Sequence, residues 1–258
     1  MNCVIDYAAV EKLVLQTKAF FQDNRKRAEI TQKGKDDFVT QVDFAVQSFL
    51  QTELGRMYPD IQFLGEEGPK EEQDWSRPVW ILDPVDGTTN LIRDLQMSAV
   101  SLGLWDGEDM LYGCVYNPYR DEMCTAVRGQ GTKLNGEPVT VSKAATLSES
   151  LFVVGTSPYE KEIYGEKIFE RMKRAFMASL EIRRTGSAAL DLVAIATGRA
   201  DGYFEYYLKP WDCAAGILLV REAGGRITDF QGNSTSPDKY PDLVASNGLI
   251  HDAILKLL

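Results

Sequence analysis

The stretch Val79-Trp80-Ile81-Leu82-Asp83-Pro84-Val85-Asp86-Gly87-Thr88-Thr89-Asn90 constrains this chain more than any other. Its apolar run reads as a buried strand. Pro84 cannot donate to a ladder, so the strand is expected to end at Asp83, and Gly87 permits a sharp turn. Thr88 or Thr89 can then cap a short helix. Two carboxylates are left three residues apart at the carboxyl end of a strand, where the ligands of α/β sheets collect. A plain Asp-Gly hairpin is the alternative, but it requires neither Asp83 nor the paired threonines.

Composition narrows the chemistry. A length of 258 residues suits one large domain or two halves sharing a core, and 44% hydrophobic content is ample for burial. The net charge of −10 argues against nucleic acid or an anionic membrane as partner. An anionic substrate would need a cation to receive it, and a bound metal ion is the obvious one. No apolar run approaches the ~20 residues of a membrane span. Asp6 and Glu11 interrupt any signal-like pattern, so a cytoplasmic location is expected. Cys3, Cys114, Cys124 and Cys213 are scattered and read as buried free thiols. The only histidine, His251, sits in an apolar tail, which disfavours Ser-His-Asp, Cys-His and His-rich zinc chemistry. Gly129-Gln130-Gly131 is too short for a nucleotide-binding fingerprint and reads as a turn.

Residues 6–23 carry the apolar spacing of one amphipathic helix, and 33–43 form a polar loop into a second helix with Thr40 as N-cap. Asp43 falls where a capping-box acid belongs, so it has a structural reading beside any chemical one. Ile61–Leu64 predicts a strand ending in Gly65-Glu66-Glu67-Gly68, a second acidic tip that is also compatible with a solvated loop. Residues 97–141 read as an antiparallel meander with turns at Asp106-Gly107, Asn117-Pro118 and Asn135-Gly136. After Ser148 the pattern becomes βαβα. The small residues at 214–216 let the helix starting near Trp211 approach a neighbour closely, and Asp212 in its first turn suits the helix dipole. These patterns place a boundary near 145, between an α+β half (1–145) carrying the acidic loops and an α/β half (146–258) completing one catalytic unit.

Glu66, Asp83, Asp86 and Asp212 all stand at element ends. Converging without a counter-ion, they would raise one another's pKa at a cost of several kcal/mol. Hard divalent cations with oxygen ligands relieve that, and two ions bridged by a shared carboxylate activate water and stabilise a leaving oxygen. Such chemistry asks for no histidine.

The motifs resemble those of the inositol monophosphatase family. Asp83-Pro84-Val85-Asp86-Gly87-Thr88-Thr89-Asn90 matches its D-P-[IVL]-D-G-T-x-N signature, and Gly65-Glu66-Glu67 its G-E-E. Asp37-x-Val39-Thr40-x-x-Asp43 matches the amino-terminal motif. Trp211-Asp212-x-Ala214-Ala215-Gly216 with Glu222-Ala223-Gly224-Gly225 matches the carboxyl-terminal one. The resemblance implies a layered αβαβα sandwich and Mg²⁺-dependent, lithium-sensitive hydrolysis of phosphomonoesters, in a protein that is commonly a homodimer. It assigns Glu66, Asp83 and the Val85 carbonyl to one metal, and Asp83, Asp86 and Asp212 to a second. Glu67 takes an outer shell, with a third ion through water. Asp43 and Thr88 orient and deprotonate the attacking water, with Glu66 beside them. Gly87 and Thr88 receive the phosphate, while Gly186, Ser187, Ala188 and Glu205 contact the polyol. Lys33 aligns with a lysine of the metal loop.

Departures bear on the substrate. Leu91 and Gln96-Met97 replace aromatic and Pro-aromatic positions, and Lys209-Pro210 stands where animal members carry His-Cys. Inositol monophosphate or a similar polyol phosphate is the expected substrate. Alternatives are 3′-phosphoadenosine 5′-phosphate, fructose 1,6-bisphosphate and histidinol phosphate with the same chemistry, or a non-catalytic metal- or partner-binding module.

Overall fold

Trp80 and Leu82 face one side of their strand, Val79 and Ile81 the other, and both sides are buried. A strand covered on both faces needs a layer above and below it. The computed structural model describes residues 4–23, 30–34, 37–68, 72–239 and 242–258. Its elements are numbered here in chain order. A two-stranded antiparallel ribbon, β1 (Ile30–Gly34) and β2 (Asp37–Thr40), precedes two larger sheets. The seven-stranded sheet runs in chain order through β3 (Gln62–Gly65), β4 (Val79–Asp86), β5 (Ala99–Trp105), β6 (Met110–Asn117), β7 (Glu122–Val127), β8 (Thr132–Leu134) and β9 (Glu137–Val139). Only β3 and β4 are parallel; every later pair is antiparallel. The five-stranded sheet has the order β11 (Glu181–Arg183), β10 (Leu151–Val154), β12 (Gly202–Glu205), β14 (Leu243–Ser246), β13 (Arg226–Thr228).

Helices fill the remaining layers. Helices α1 (Tyr7–Gln16), α2 (Lys18–Phe21) and α3 (Gln41–Met57) cover the outer face of the large sheet through Val14, Phe21, Val46 and Leu50. Helices α6 (Ala188–Ala196) and α7 (Pro210–Glu222) lie between the sheets, packing Leu192 and Ile217 against Ile81 and Tyr203. Helices α5 (Lys161–Ala178) and α8 (His251–Leu257) close the far face over Phe152 and Phe204. The result is the αβαβα sandwich; a short α4 (Thr88–Ile92) follows β4.

The middle layer is tight. The paired Gly103 and Gly113 of β5 and β6 face α7. A Cβ on Gly113 would stand 2.7 Å from the Ala215 carbonyl oxygen, and one on Gly216 would stand 2.3 Å from Leu192. The small residues at 214–216 thus serve the close approach their sequence suggested. Gly113→Ala would push α7, and with it Asp212, off the sheet. We expect a loss of about 1–3 kcal/mol, the usual cost of overpacking, read by urea unfolding at unchanged m-value.

Four local expectations are corrected. The helix over 6–23 breaks at Thr17, whose Oγ1 donates to the Val14 carbonyl at 2.6 Å and competes with continuation. Part of the expected polar loop at 33–43 is strand, because β2 pairs with β1. Strand β4 does not stop at Asp83; it passes Pro84 and reaches Asp86 through a bulge. Gly87, in the left-handed conformation at φ 90°, is the N-cap of α4, not Thr88 or Thr89. Elsewhere the meander turns fall as read, with Asn135 and Gly136 both at positive φ, as a two-residue hairpin requires. Cys114, Cys124 and Cys213 are buried free thiols, and Cys3 lies outside the described residues. His251 is structural: it is buried, bonds Thr228 Oγ1 at 2.9 Å and Ser246 Oγ at 2.8 Å, and burial pushes its pKa down to about 4.

Candidate active site

The bulge in β4 decides the site. Asp83 pairs with Ser101 and Asp86 with Ala99, so three steps on one strand match two on the other. Residues three apart on a regular strand point to opposite faces, and one inserted residue returns them to the same face. That face looks at α6 and α7: Ser101 Oγ donates to the Trp211 carbonyl at 3.3 Å, and Ala99 packs in the inter-sheet core. Pro84 sits inside the bulge, where its missing N–H costs no ladder bond.

A cavity of about 630 Å³ opens there. Its lining includes Glu66, Asp83, Val85, Asp86 and Asp212, with Gly87, Thr88, Gly186, Ser187, Ala188 and Glu205. Asp83 Oδ1 accepts from Val85 N at 2.9 Å. Asp86 Oδ2 accepts from Ala189 N at 2.7 Å and from Ser187 Oγ, at the start of α6. Asp212 Oδ2 accepts from Lys209 N, the N-cap backbone N–H of α7, at 2.7 Å, so its place in the first turn of that helix holds as well as its place in the cavity. Burial, first of all, raises the carboxyl pKa of Asp83; Glu66, Asp86 and Asp212 raise it further. Burial likewise pushes Asp86 up to about 6 against the bonds from Ser187 and Ala189. Asp212, which keeps a partial opening to the cavity, is raised by its depth in the protein and then by Asp86 and Glu66. The acids share one field without forming a closed cage: among the described residues no three His, Cys, Asp or Glu side chains stand ready around one point to hold a metal. Like charges gain nothing by closing further without a cation between them.

These raised values set a stability trend. A carboxyl whose pKa is higher folded than unfolded binds its proton more tightly in the native state, so stability falls as pH rises through that window. Without divalent metal the protein is expected to melt at a higher temperature near pH 5.5 than near pH 7.5, and excess Mg²⁺ should remove the difference. His251, lowered by burial to about 4, works the other way over this window, as one group against the raised Asp43, Asp83, Asp86 and Asp212; carboxyls held low, such as Asp106, act only at more acidic pH. A metal-free melting temperature that rises with pH over this window would contradict the trend.

Asp43 does not line the cavity but reaches it through Thr88. Its Oδ2 accepts from Thr40 N at 2.8 Å and Thr40 Oγ1 at 2.6 Å, so it is the capping-box acid of α3. Its Oδ1 accepts from Thr88 Oγ1 at 3.2 Å, and the same hydroxyl lies 3.1 Å from the Val85 carbonyl. Burial raises Asp43 to about 6, with the Thr40 bonds opposing and Glu67 adding to the rise. Glu67 itself lines an adjoining hollow of about 430 Å³ rather than the cavity. Lys33 lies on β1, and its side chain lies outside the described residues.

Several residues that organise the site, Asn90 apart, carried no motif of their own. Gln47 of α3 clamps the acidic tip, donating to the Glu67 carbonyl at 2.7 Å and accepting from Glu67 N at 2.9 Å. Asn90 ties the segment before β5 to the segment before α6, donating to Met97 O at 2.8 Å and Thr185 O at 2.9 Å. It closes the D-P-x-D-G-T-x-N motif, the one signal that could have found it. Glu205 accepts from Tyr203 Oη at 2.7 Å and Ser157 N at 3.1 Å, and a Cβ on Gly155 would fall 1.8 Å from its Cδ. Ser157 and Tyr207, both lining the cavity, hold left-handed backbones at φ 39° and 55°.

The sequence profile of the inositol monophosphatase family matches residues 3–258. The chain belongs to the inositol monophosphatase family. It is 42% identical to the Nus factor SuhB of Escherichia coli K12 over 204 residues, 79% of this chain and 76% of that protein. Among solved structures, the extragenic suppressor protein suhB of Bartonella henselae superposes with a TM-score of 0.90 at 31% identity, covering 98% of both chains. The IMPase of Thermotoga maritima gives 0.88 at 32%, covering 98% of this chain and 96% of that one. The family fold matches the layered sandwich described above.

Proposed function

We propose that this inositol monophosphatase family member is a Mg²⁺-dependent phosphomonoesterase acting on inositol monophosphate or a similar polyol phosphate. What carries the reading is one cavity that gathers Glu66, Asp83, Asp86 and Asp212 beside Thr88, with the Asp43 carboxylate behind that threonine. The donor set fits the ion: all-oxygen, anionic and mutually repelling, which suits a hard divalent cation. Glu66, Asp83 and the Val85 carbonyl would hold one ion, Asp83, Asp86 and Asp212 a second, and Glu67 would serve a third through water. Bound there, Mg²⁺ supplies charge neutralisation and acidifies water.

The chain's own residues do the rest. Thr88 Oγ1 accepts a proton from the attacking water as it passes its own to Asp43 Oδ1. A carboxyl with pKa about 6 is poised to take it near neutral pH. The backbone at Gly87 and Thr88, at a helix start with no side-chain cap, presents N–H groups to the phosphate. Glu205, anchored by Tyr203 and Ser157, keeps lone pairs for vicinal hydroxyls. The same reading carries lithium inhibition, a cytoplasmic location and a homodimer; sedimentation showing only monomer would count against the last. No helix among the described residues is long and apolar enough to cross a membrane.

The Escherichia coli relative is named a Nus factor, not a phosphatase. That favours a second reading, in which the chain works through a macromolecular partner on a phosphatase fold. The test is phosphate release, with excess Mg²⁺, from inositol 1-phosphate, glycerol 2-phosphate, 3′-phosphoadenosine 5′-phosphate, fructose 1,6-bisphosphate and histidinol phosphate. Inositol phosphate in the lead supports the polyol assignment. Another ester in the lead keeps the chemistry and overturns the role given to Glu205. No release from any of them leaves the second reading.

A further inference from the structure

Glu205 lines the cavity, yet the group that sets its surroundings stands outside it. Ser157 N donates to Glu205 Oε1 at 3.1 Å, and Tyr203 Oη donates to Oε2 at 2.7 Å. The Ser157 hydroxyl lies between two acceptors, Glu205 Oε1 at 3.3 Å and the Tyr206 carbonyl. A serine hydroxyl has one proton to give. Given to Glu205, it takes a lone pair that a substrate hydroxyl could use. Given to Tyr206, it leaves that lone pair free. The place of the Tyr206 carbonyl therefore decides how many acceptor sites Glu205 offers the cavity.

Tyr206 is buried and does not line the cavity. Its ring stacks on Tyr164 of α5, with centroids 5.0 Å apart and planes at 15°, and on Phe230, at 4.7 Å and 24°. Arg171, two turns along α5 from Tyr164, completes the cluster. Its Cζ lies 4.1 Å from the Phe230 centroid and 4.9 Å from that of Tyr206, and its Nη1 donates to Tyr206 Oη. Nε of the same guanidinium donates to the Leu258 carbonyl at 2.9 Å. Two bonds from different nitrogens to acceptors on different segments, with rings against the group, fix the guanidinium. Stacking holds the Tyr206 ring by its face, and Arg171 holds it by its tip. We propose that Arg171 is a positioning residue for polyol recognition: it holds Tyr206 so that the Tyr206 carbonyl takes the Ser157 proton and Glu205 keeps its Oε1 lone pair for a substrate hydroxyl. The inference rests on the phosphatase reading above and on Glu205 as the polyol acceptor.

The test compares wild type, Arg171→Met and Arg171→Lys on inositol 1-phosphate, whose ring offers vicinal hydroxyls, and on phenyl phosphate, which has none. Arg171→Met keeps the apolar stem and loses the guanidinium. It is expected to raise KM for inositol 1-phosphate about five- to tenfold, the worth of one hydrogen bond, with kcat within about twofold. Both constants for phenyl phosphate should stay within about twofold of wild type. Arg171→Lys, which keeps a cation and a donor beside the rings, should recover part of the loss. In a Glu205→Ala background Arg171→Met should add less than about twofold, because the acceptor it serves is gone. Equal losses on both esters, an undiminished further loss in the Glu205→Ala background, or unchanged kinetics each overturn the proposal. If Arg171→Met does not fold, Tyr206→Phe, which keeps the stack and removes only the oxygen that Arg171 bonds, is judged by the same selective rise in KM. If wild type releases phosphate from neither ester, the phosphatase reading fails on its own. Calorimetric titration with inositol 1-phosphate at excess Mg²⁺ then decides for Arg171: binding weakened about fivefold or more by Arg171→Met sustains its role, and equal binding, or none by wild type, removes it.

Discussion

Asp86→Asn is expected to lower phosphate release by roughly 10³-fold or more while leaving the fold intact. The two functions of this carboxylate separate cleanly. Its hydrogen bonds, from Ser187 Oγ and Ala189 N, need only an acceptor oxygen, and an amide oxygen provides one. Its charge is needed only for a cation. Buried beside Asp83 and Asp212, the charge is a liability to the metal-free protein, as the raised carboxyl pKa values express. The variant should therefore melt no lower than wild type without metal and should gain less melting temperature from added Mg²⁺. Retention of more than a tenth of wild-type activity would remove Asp86 from the metal set. A collapse of metal-free stability would mean that the carboxylate is chiefly a structural acceptor.

Asp43→Asn should cost roughly 10²- to 10⁴-fold in kcat, the range for a lost general base. The stability loss should stay near 1 kcal/mol, since an amide oxygen can still accept from Thr40 N and preserve most of the cap. Thr88→Val tests the other end of the relay: it removes the hydroxyl 3.2 Å from Asp43 without touching the capping box. The two variants are expected to be defective to a similar degree and, combined, to lose little more. For the wild type, the ionised carboxylate is the active form, so kcat/KM should fall as pH drops below about 6, where Asp43 gains its proton. A full-size effect of Asp43→Asn with an unaffected Thr88→Val would break the relay and leave Asp43 acting only through the helix it caps.

Much of this was legible in the residues, for reasons that differ by element. Strands such as Leu151–Val154 and the meander between Ala99 and Val139 announce themselves, because side-chain alternation and turn chemistry are local properties. The four acids were readable for a similar reason: each stands where a sequence pattern changes, Glu66 and Asp86 beside a glycine, and the motifs repeat the family's spacing. Asp43 shows both of its roles in the chain, since a capping box is a four-residue pattern, and the structure adds its contact with Thr88.

Local pattern is enough for the chemical inventory: which acids are available, that the one histidine in an apolar tail is not part of it, and that strands and helices alternate after Ser148. Tertiary structure alone decided how that inventory is aimed. Pro84 predicts that a strand should stop, yet the ladder across β5 carries it through a bulge and turns Asp83 and Asp86 onto one face. Gln47, Ser157 and Tyr203 are ordinary polar residues in the chain, and the motif that contains Asn90 says nothing of its partners. Each acquires its role through what it meets: residues 20 positions away for Gln47, 95 for Asn90 and 48 for Ser157, and for Tyr203 the acid Glu205 two positions along its own strand. A hydrogen bond is set by where a second segment arrives, and that depends on the packing of both sheets around the two central helices. No local pattern carries such information, so these residues had to be seen in place.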